Sequence, residues 1–299
     1  MRRGVLAVAA ALLCTCVPAA IAAPAGAQAS GPPEIRLLDS GRAPREPLRF
    51  GAAAGTSSTS RLTTEVTITQ ELGGRSQTVS TPPITITLSN RVASVTPEGE
   101  ATIDFSYDKA EVKDDGSVSE DQLAQIRQRL EPIAGITGSL TISTTGAASK
   151  GSVDIPSDVD EQTRQLLEQL EEQATQLTIP FPEEAVGKGA RWKATQELEV
   201  SGATLRQTTR YELKSRDGDR AKVSAHIDQR ADNETLDTPQ GSATLVRSRA
   251  DGKGTITADL RQPLPASAKL QINARQRIRA QGQTLDQTVK TKVRLEPVG

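Results

Sequence analysis

A single histidine serves the whole chain of 299 residues, His226 in "KVSAHIDQ", and the only two cysteines are Cys14 and Cys16. General acid–base and nucleophilic catalysis need such groups held in pairs. His226 has no second histidine to pair with, and strand parity turns it away from the inward-facing Val223, Ala225 and Ile227. Zinc sites of Cys and His are excluded by count. Oxygen-ligand metals would draw on "DIPSDVDE" at 154–161, but it lacks the glycine and distant glutamate of a calcium loop, and acidic residues suit a helix start in any case. The carboxylate pairs Asp114-Asp115 and Glu183-Glu184 fall in expected loops. "GKGARW" at 187–192 lacks the full phosphate-loop spacing and runs into a strand rather than a helix. These counts and spacings predict a non-enzymatic protein with no cofactor and no metal site.

Both cysteines lie in "LLCTCVPAAIAAPAGAQA", residues 12–29. Met1-Arg2-Arg3 is a positive start, residues 5–21 are an apolar core, and Ala25-Gly26-Ala27 or Ala27-Gln28-Ala29 supplies a small-x-small cleavage site. Residues 1–29 therefore read as a signal peptide and the protein as exported, secreted or held in the cell envelope. Lipidation at Cys16 is the less favoured alternative, because Thr15 precedes it where a lipidated cysteine follows Gly or Ala. Elsewhere no stretch reaches the roughly 20 apolar residues of a membrane span.

Those positioning elements must be built without many aromatics: three Phe, two Tyr, one Trp and one Met serve the chain, so the core is aliphatic. Residues 30–60 carry Pro32, Pro33, Pro44, Pro47 and "GAAAGTSSTS" and read as a flexible arm. From Arg61, alternation predicts half-buried strands, among them Leu62-Thr64-Val66-Ile68, Ile84-Ile86-Leu88 and Ile103-Phe105-Tyr107. A helix capped by Ser119, with Gln122 three residues on, carries Leu123, Ile126 and Leu130 and stops at Pro132. A second is predicted over 158–178, with Leu166, Leu167, Leu170, Ala174 and Leu177 at helical spacing. Strands resume from 185, opened by Trp192 and punctuated by Ser201-Gly202, Asp217-Gly218 and Asp251-Gly252 as hairpin signals. The fold class is α+β, mainly β: a large curved antiparallel sheet, in one piece or as two β-halves (61–155 and 185–299), with two helices on one face.

Charge is unevenly spread. Segment 30–190 holds 14 Lys+Arg against 24 Asp+Glu, 191–241 holds 9 against 9, and 242–299 holds 11 against 4. At the basic end Arg275, Arg277 and Arg279 alternate with inward residues, as do Lys290, Lys292 and Arg294, placing both stripes on the solvent face of a hairpin turning near Gly282. A charged edge protects a sheet. It also suits docking to an anionic envelope component such as phospholipid, a teichoic-type polymer or an acidic protein. Nucleic acid is a poor fit, since the chain is exported, is not net basic and lacks stacking aromatics.

The signal peptide, arm, β-helix-β order and above all "IPFPEEAVGKGARW" at 179–192 resemble a family of exported bacterial proteins of unknown function. That resemblance implies location and architecture and no catalytic residues. The architecture is similar to the half-barrel carriers of lipids and lipoproteins in bacterial envelopes, and the small inward residues Ala194, Ala221, Ala225, Ala274 and Ala280 leave room on a curved sheet. Two functions follow as expectations. One is a carrier of an amphiphilic ligand, a lipid or acyl chain, held between sheet and helix, with Leu166, Leu170, Ala174, Leu177 and Trp192 as cavity candidates. The other is a structural or protein-interaction module without a small ligand.

Overall fold

The computed structural model describes residues 28–29, 31–154, 178–200, 202–238, 241–262 and 264–298. The helix expected over 158–178 lies outside them but for Thr178, and with it Leu166, Leu167, Leu170, Ala174 and Leu177.

Alternating apolar residues do form strands, and all fourteen among the described residues join one antiparallel sheet. The first part of the chain gives β1 (Gln28–Ala29), β2 (Glu34–Asp39), β3 (Ser57–Leu72), β4 (Arg75–Ser80), β5 (Ile84–Val95), β6 (Ala101–Val112), β7 (Thr137–Ile142) and β8 (Ala148–Val153). The second is an uninterrupted meander: β9 (Arg191–Val200), β10 (Ala203–Asp217), β11 (Arg220–Thr238), β12 (Gly241–Asp259), β13 (Pro265–Ala280) and β14 (Gln283–Pro297). The spatial order is β1-β9-β10-β11-β12-β13-β14-β3-β5-β6-β7-β8, with β2 also on β9 and β4 on β3. The two halves are therefore one surface. β14 runs antiparallel to β3 from Leu285 opposite Leu72 to Pro297 opposite Ser60.

Among the described residues there is one α-helix where two were expected, α1 (Glu120–Leu130). Ser119 closes a capping box with Gln122, satisfying donors that a helix start otherwise leaves orphaned. A 3-10 turn, Glu131–Ile133, ends it at Pro132. Leu130 and Ile133 then bury against Ile103, Phe105 and Leu140 in a core cluster on the first half.

Residues 31–56 correct the expectation of a loose arm. Ile35 and Leu37 on β2 pair with Ala194 and Trp192 of β9. Leu48 and Phe50 are buried at 0% and 4% exposure. The chain is held there by backbone bonds from Phe50 N–H to Thr144 O (2.8 Å) and from Gly51 N–H to Leu260 O (2.7 Å). The prolines stiffen this segment, while two large apolar side chains anchor it.

Asp251-Gly252 is a second correction, for β12 runs straight through it. Gly252 sits between Ile227 and Ile272, and Gly254 between Ala225 and Leu270. Neither has the positive φ of a hairpin glycine. They are needed for close approach: a Cβ on Gly252 would lie 3.2 Å from the Cβ of Ile227, and one on Gly254 would overlap Leu270 and the carbonyl of Lys269. The hairpin expected near Gly282 is present, with Gln281 and Gly282 at φ 49° and 76° between Ala280 and Gln283, as a two-residue turn between twisted strands requires.

Candidate functional site

Period-two alternation gives the β9–β14 meander an inner face that is buried and an outer face that is polar. On the inner face lie two apolar clusters. The first joins strand residues to the crossing segments, with Leu48, Phe50, Ile179, Phe181 and Val186 packed on Trp192, Tyr211, Val223 and Leu270. The second, nearer the Gly282 turn, consists among the described residues of strand residues alone: Leu198, Ala203, Leu205, Ala231, Leu236, Ala243, Leu245 and Ile278. Between them runs a buried polar band. Gln207 stands opposite both Gln196 and Gln229, and the Gln229 amide N–H donates to the Gln207 carbonyl. Ser248 and Gln287 continue it at 2% and 6% exposure.

Trp192, expected at the ligand cavity, is fully enclosed in the first cluster. Its Nε1–H donates to Pro180 O at 2.9 Å. Its ring stacks on Tyr211 with centroids 5.4 Å apart and meets Phe181 edge-on at 6.2 Å, while Phe181 lies 5.0 Å from Phe50. "IPFPEEAVGKGARW" thus forms a corner in which two prolines turn the chain and the aromatics fill it. Burial pushes the Tyr211 hydroxyl up to about 12.

All six predicted basic residues are exposed on the outer face of the β13–β14 hairpin. Three are tied to carboxylates: Arg277 to Asp286 at 2.7 Å, Lys292 to Glu65 at 3.0 Å and Arg294 to Glu296 at 3.7 Å. Arg275, Arg279 and Lys290 make no ion pair among the described residues. The register also offsets the two stripes, since Arg275 faces Thr288 and Lys290 faces Asn273. His226 lies on this same face, half-exposed, with Nε2 3.3 Å from Asp251.

The sequence reading missed what lies across the strands. In one row Arg36, Lys193, Arg210, His226 and Lys253 stand side by side, and the row continues through Gln271 to Lys292. Outward parity in each strand was the available signal, but only the register aligns them. At the β14 end of the row a shallow concavity of about 400 Å³ is bordered by Lys253, Lys269, Lys292 and Arg294. The outer face of the first half differs in chemistry, carrying cross-strand hydroxyl pairs such as Thr59–Ser89 (3.1 Å), Thr63–Thr85 (3.2 Å) and Thr69–Thr78 (2.9 Å).

Fold and faces together define a mainly β protein on one open antiparallel sheet. Residues 157–264 match a family of unknown function (DUF6263), a span that includes the 179–192 corner and the strands β9 through β12. No curated protein matches. Among solved structures, the crystal structure of Pseudomonas aeruginosa OpdQ is similar with a TM-score of 0.27 and 8% identity, over 81% of this chain and 98% of that one. Among the described residues, no helix is long and apolar enough to cross a membrane.

Proposed function

We propose that the protein is a non-enzymatic envelope carrier that holds an amphiphilic ligand, a lipid or acyl chain, against the inner face of β9–β14. The observation that supports this reading is the second apolar cluster, which draws on strand residues alone among the described residues. A buried apolar sheet face must have a second layer against it. The amphipathic stripe of 158–178 is the sequence-expected cover, and the acyl chain of this reading would lie over the small, buried side chains of Ala203, Ala231 and Ala243. The glutamine band gives such a ligand's polar linkage hydrogen-bonding partners, which burial of an ester or amide requires.

Mass spectrometry of organic extracts from protein purified without detergent tests the reading. A stoichiometric amphiphile is expected. Extracts free of one, from protein expressed in an envelope-bearing host, would leave the interaction module without a small ligand as the function.

A further inference from the structure

We propose that the outer face carries a second site, a cationic row that binds a linear polymer of phosphate groups laid across the strands. This site stands apart from the carrier reading, since it uses the opposite face of the sheet.

Like charges placed directly opposite on neighbouring strands destabilise a sheet. The outer face does so repeatedly, and in most places answers with a carboxylate. Arg206 faces Arg230, Arg249 faces Arg275, and Arg247 faces Arg277. There Arg230 is held by Asp228 at 2.7 Å, Arg249 by Asp232 at 2.7 Å and Arg277 by Asp286 at 2.7 Å. Four members of the row, Arg36, Lys193, Arg210 and Lys253, lack such an ion pair among the described residues. Arg36 faces Lys193, and Lys193 faces Arg210, yet none of the three, nor Lys253, makes an ion pair among the described residues. Within the row only His226 and Lys292 have carboxylate partners, Asp251 and Glu65. Beside it Lys269 faces Arg294, both bordering the concavity.

The row runs at right angles to the strands and places a basic side chain on six of its seven strands, β13 contributing Gln271, with 4.7–4.9 Å from strand to strand over about 29 Å from β2 to β14. Four of the six, Arg36, Lys193, Arg210 and Lys253, make no ion pair among the described residues. A polyanion whose charges repeat along a line meets that spacing without kinking, and binding it would relieve the repulsion. The occupant is a flexible chain rather than a bilayer. Strands rotate by roughly 20–25° each, so the row turns through about 120–150° from end to end. A polymer follows such a path, whereas a flat membrane touches part of it.

Long-chain inorganic polyphosphate is the probe, titrated into the exported protein at several salt concentrations. The row variant is Arg36→Gln, Lys193→Gln, Arg210→Gln and Lys253→Gln together. The control removes the same charge two or more outward positions away along the strands and outside the β13–β14 stripes, with Arg61→Gln, Arg91→Gln, Arg206→Gln and Lys222→Gln. Those sites lie about 13 Å or more along the strands from the line of the row, beyond the screening length of about 8 Å in 0.15 M salt. The row variant should bind at least tenfold more weakly, with a salt slope shallower by about 3, as loss of four phosphate contacts implies. The control should bind within threefold of the parent, and phosphatidylglycerol vesicles should not distinguish the variants. All substituted side chains are polar and outward-facing, and thermal unfolding verifies that each variant is folded. Equal losses in row and control, no binding of polyphosphate by the parent, or vesicle binding that the row variant alone abolishes would each overturn the proposal.

Discussion

Replacing Trp192 by Phe separates a packed corner from a cavity wall. The indole is 0% exposed and donates to Pro180 O at 2.9 Å. Phe keeps a ring on Tyr211 but removes the donor. A hydrogen bond of this kind contributes about 1 kcal/mol net, and a buried carbonyl left without a partner costs about 1–3 kcal/mol. The lost second ring adds about 1 kcal/mol of burial. A destabilisation of about 2–4 kcal/mol is expected, against a typical total of 5–15 kcal/mol. Urea unfolding followed by far-UV circular dichroism measures it, since Trp192 is the only tryptophan and fluorescence is lost with it. An unchanged m-value would show that the unfolded state is unaltered. A change within about 0.5 kcal/mol, the range of surface substitutions, would refute the enclosed corner.

Gly254→Ala should destabilise by about 1–3 kcal/mol in the same assay, because a Cβ there overlaps Leu270, whereas a glycine beside a hairpin turn would accept alanine at no cost. Asp259 is buried, and hydrogen bonds from Arg261 hold its carboxyl below the usual range. Its contribution is therefore complete above the unfolded value of about 3.9 and fades as pH falls through the lower folded value. Asp259→Asn should lower the urea midpoint at pH 7 and narrow the gap from the parent in strong acid; an equal gap at every pH would contradict this. The intact mass of the protein recovered from a host that processes signal peptides should show a start near Gln28 or Ser30 and no lipid, and a diacylglyceryl mass on Cys16 would reverse that expectation. A start at Gln28 keeps the β1 pairing to β9, which cleavage after Ala29 removes.

Local signals carried much of this fold. Period-two alternation located β3, β5, β6 and the meander, the Ser119–Gln122 box located α1, and parity set His226 and the six hairpin cations outward. Non-local pairings were not legible. Nothing near residues 57–72 specifies that β14 will lie beside them, and that contact turns two β-halves into one sheet. Proline density in 31–56 outweighed the two residues that matter there, Leu48 and Phe50. Asp251-Gly252 carries a turn dipeptide, but its glycine serves close packing between Ile227 and Ile272. The cation row has no signature along any strand, because its successive members lie between 16 and 157 positions apart in sequence and meet only through the register.

Ala231→Phe tests the carrier reading most directly. Ala231 is buried in the second cluster, made of strand residues alone among the described residues, between the Gln229 band and Leu236. If an acyl chain occupies the space over it, a phenyl ring takes that space: the amphiphile should vanish from organic extracts while the unfolding midpoint of ligand-free protein holds or rises. A closed core gives the opposite pattern, a loss of about 1–3 kcal/mol from overpacking with no ligand in the parent extract to displace. That pattern, or full retention of the amphiphile by Ala231→Phe, would contradict the account.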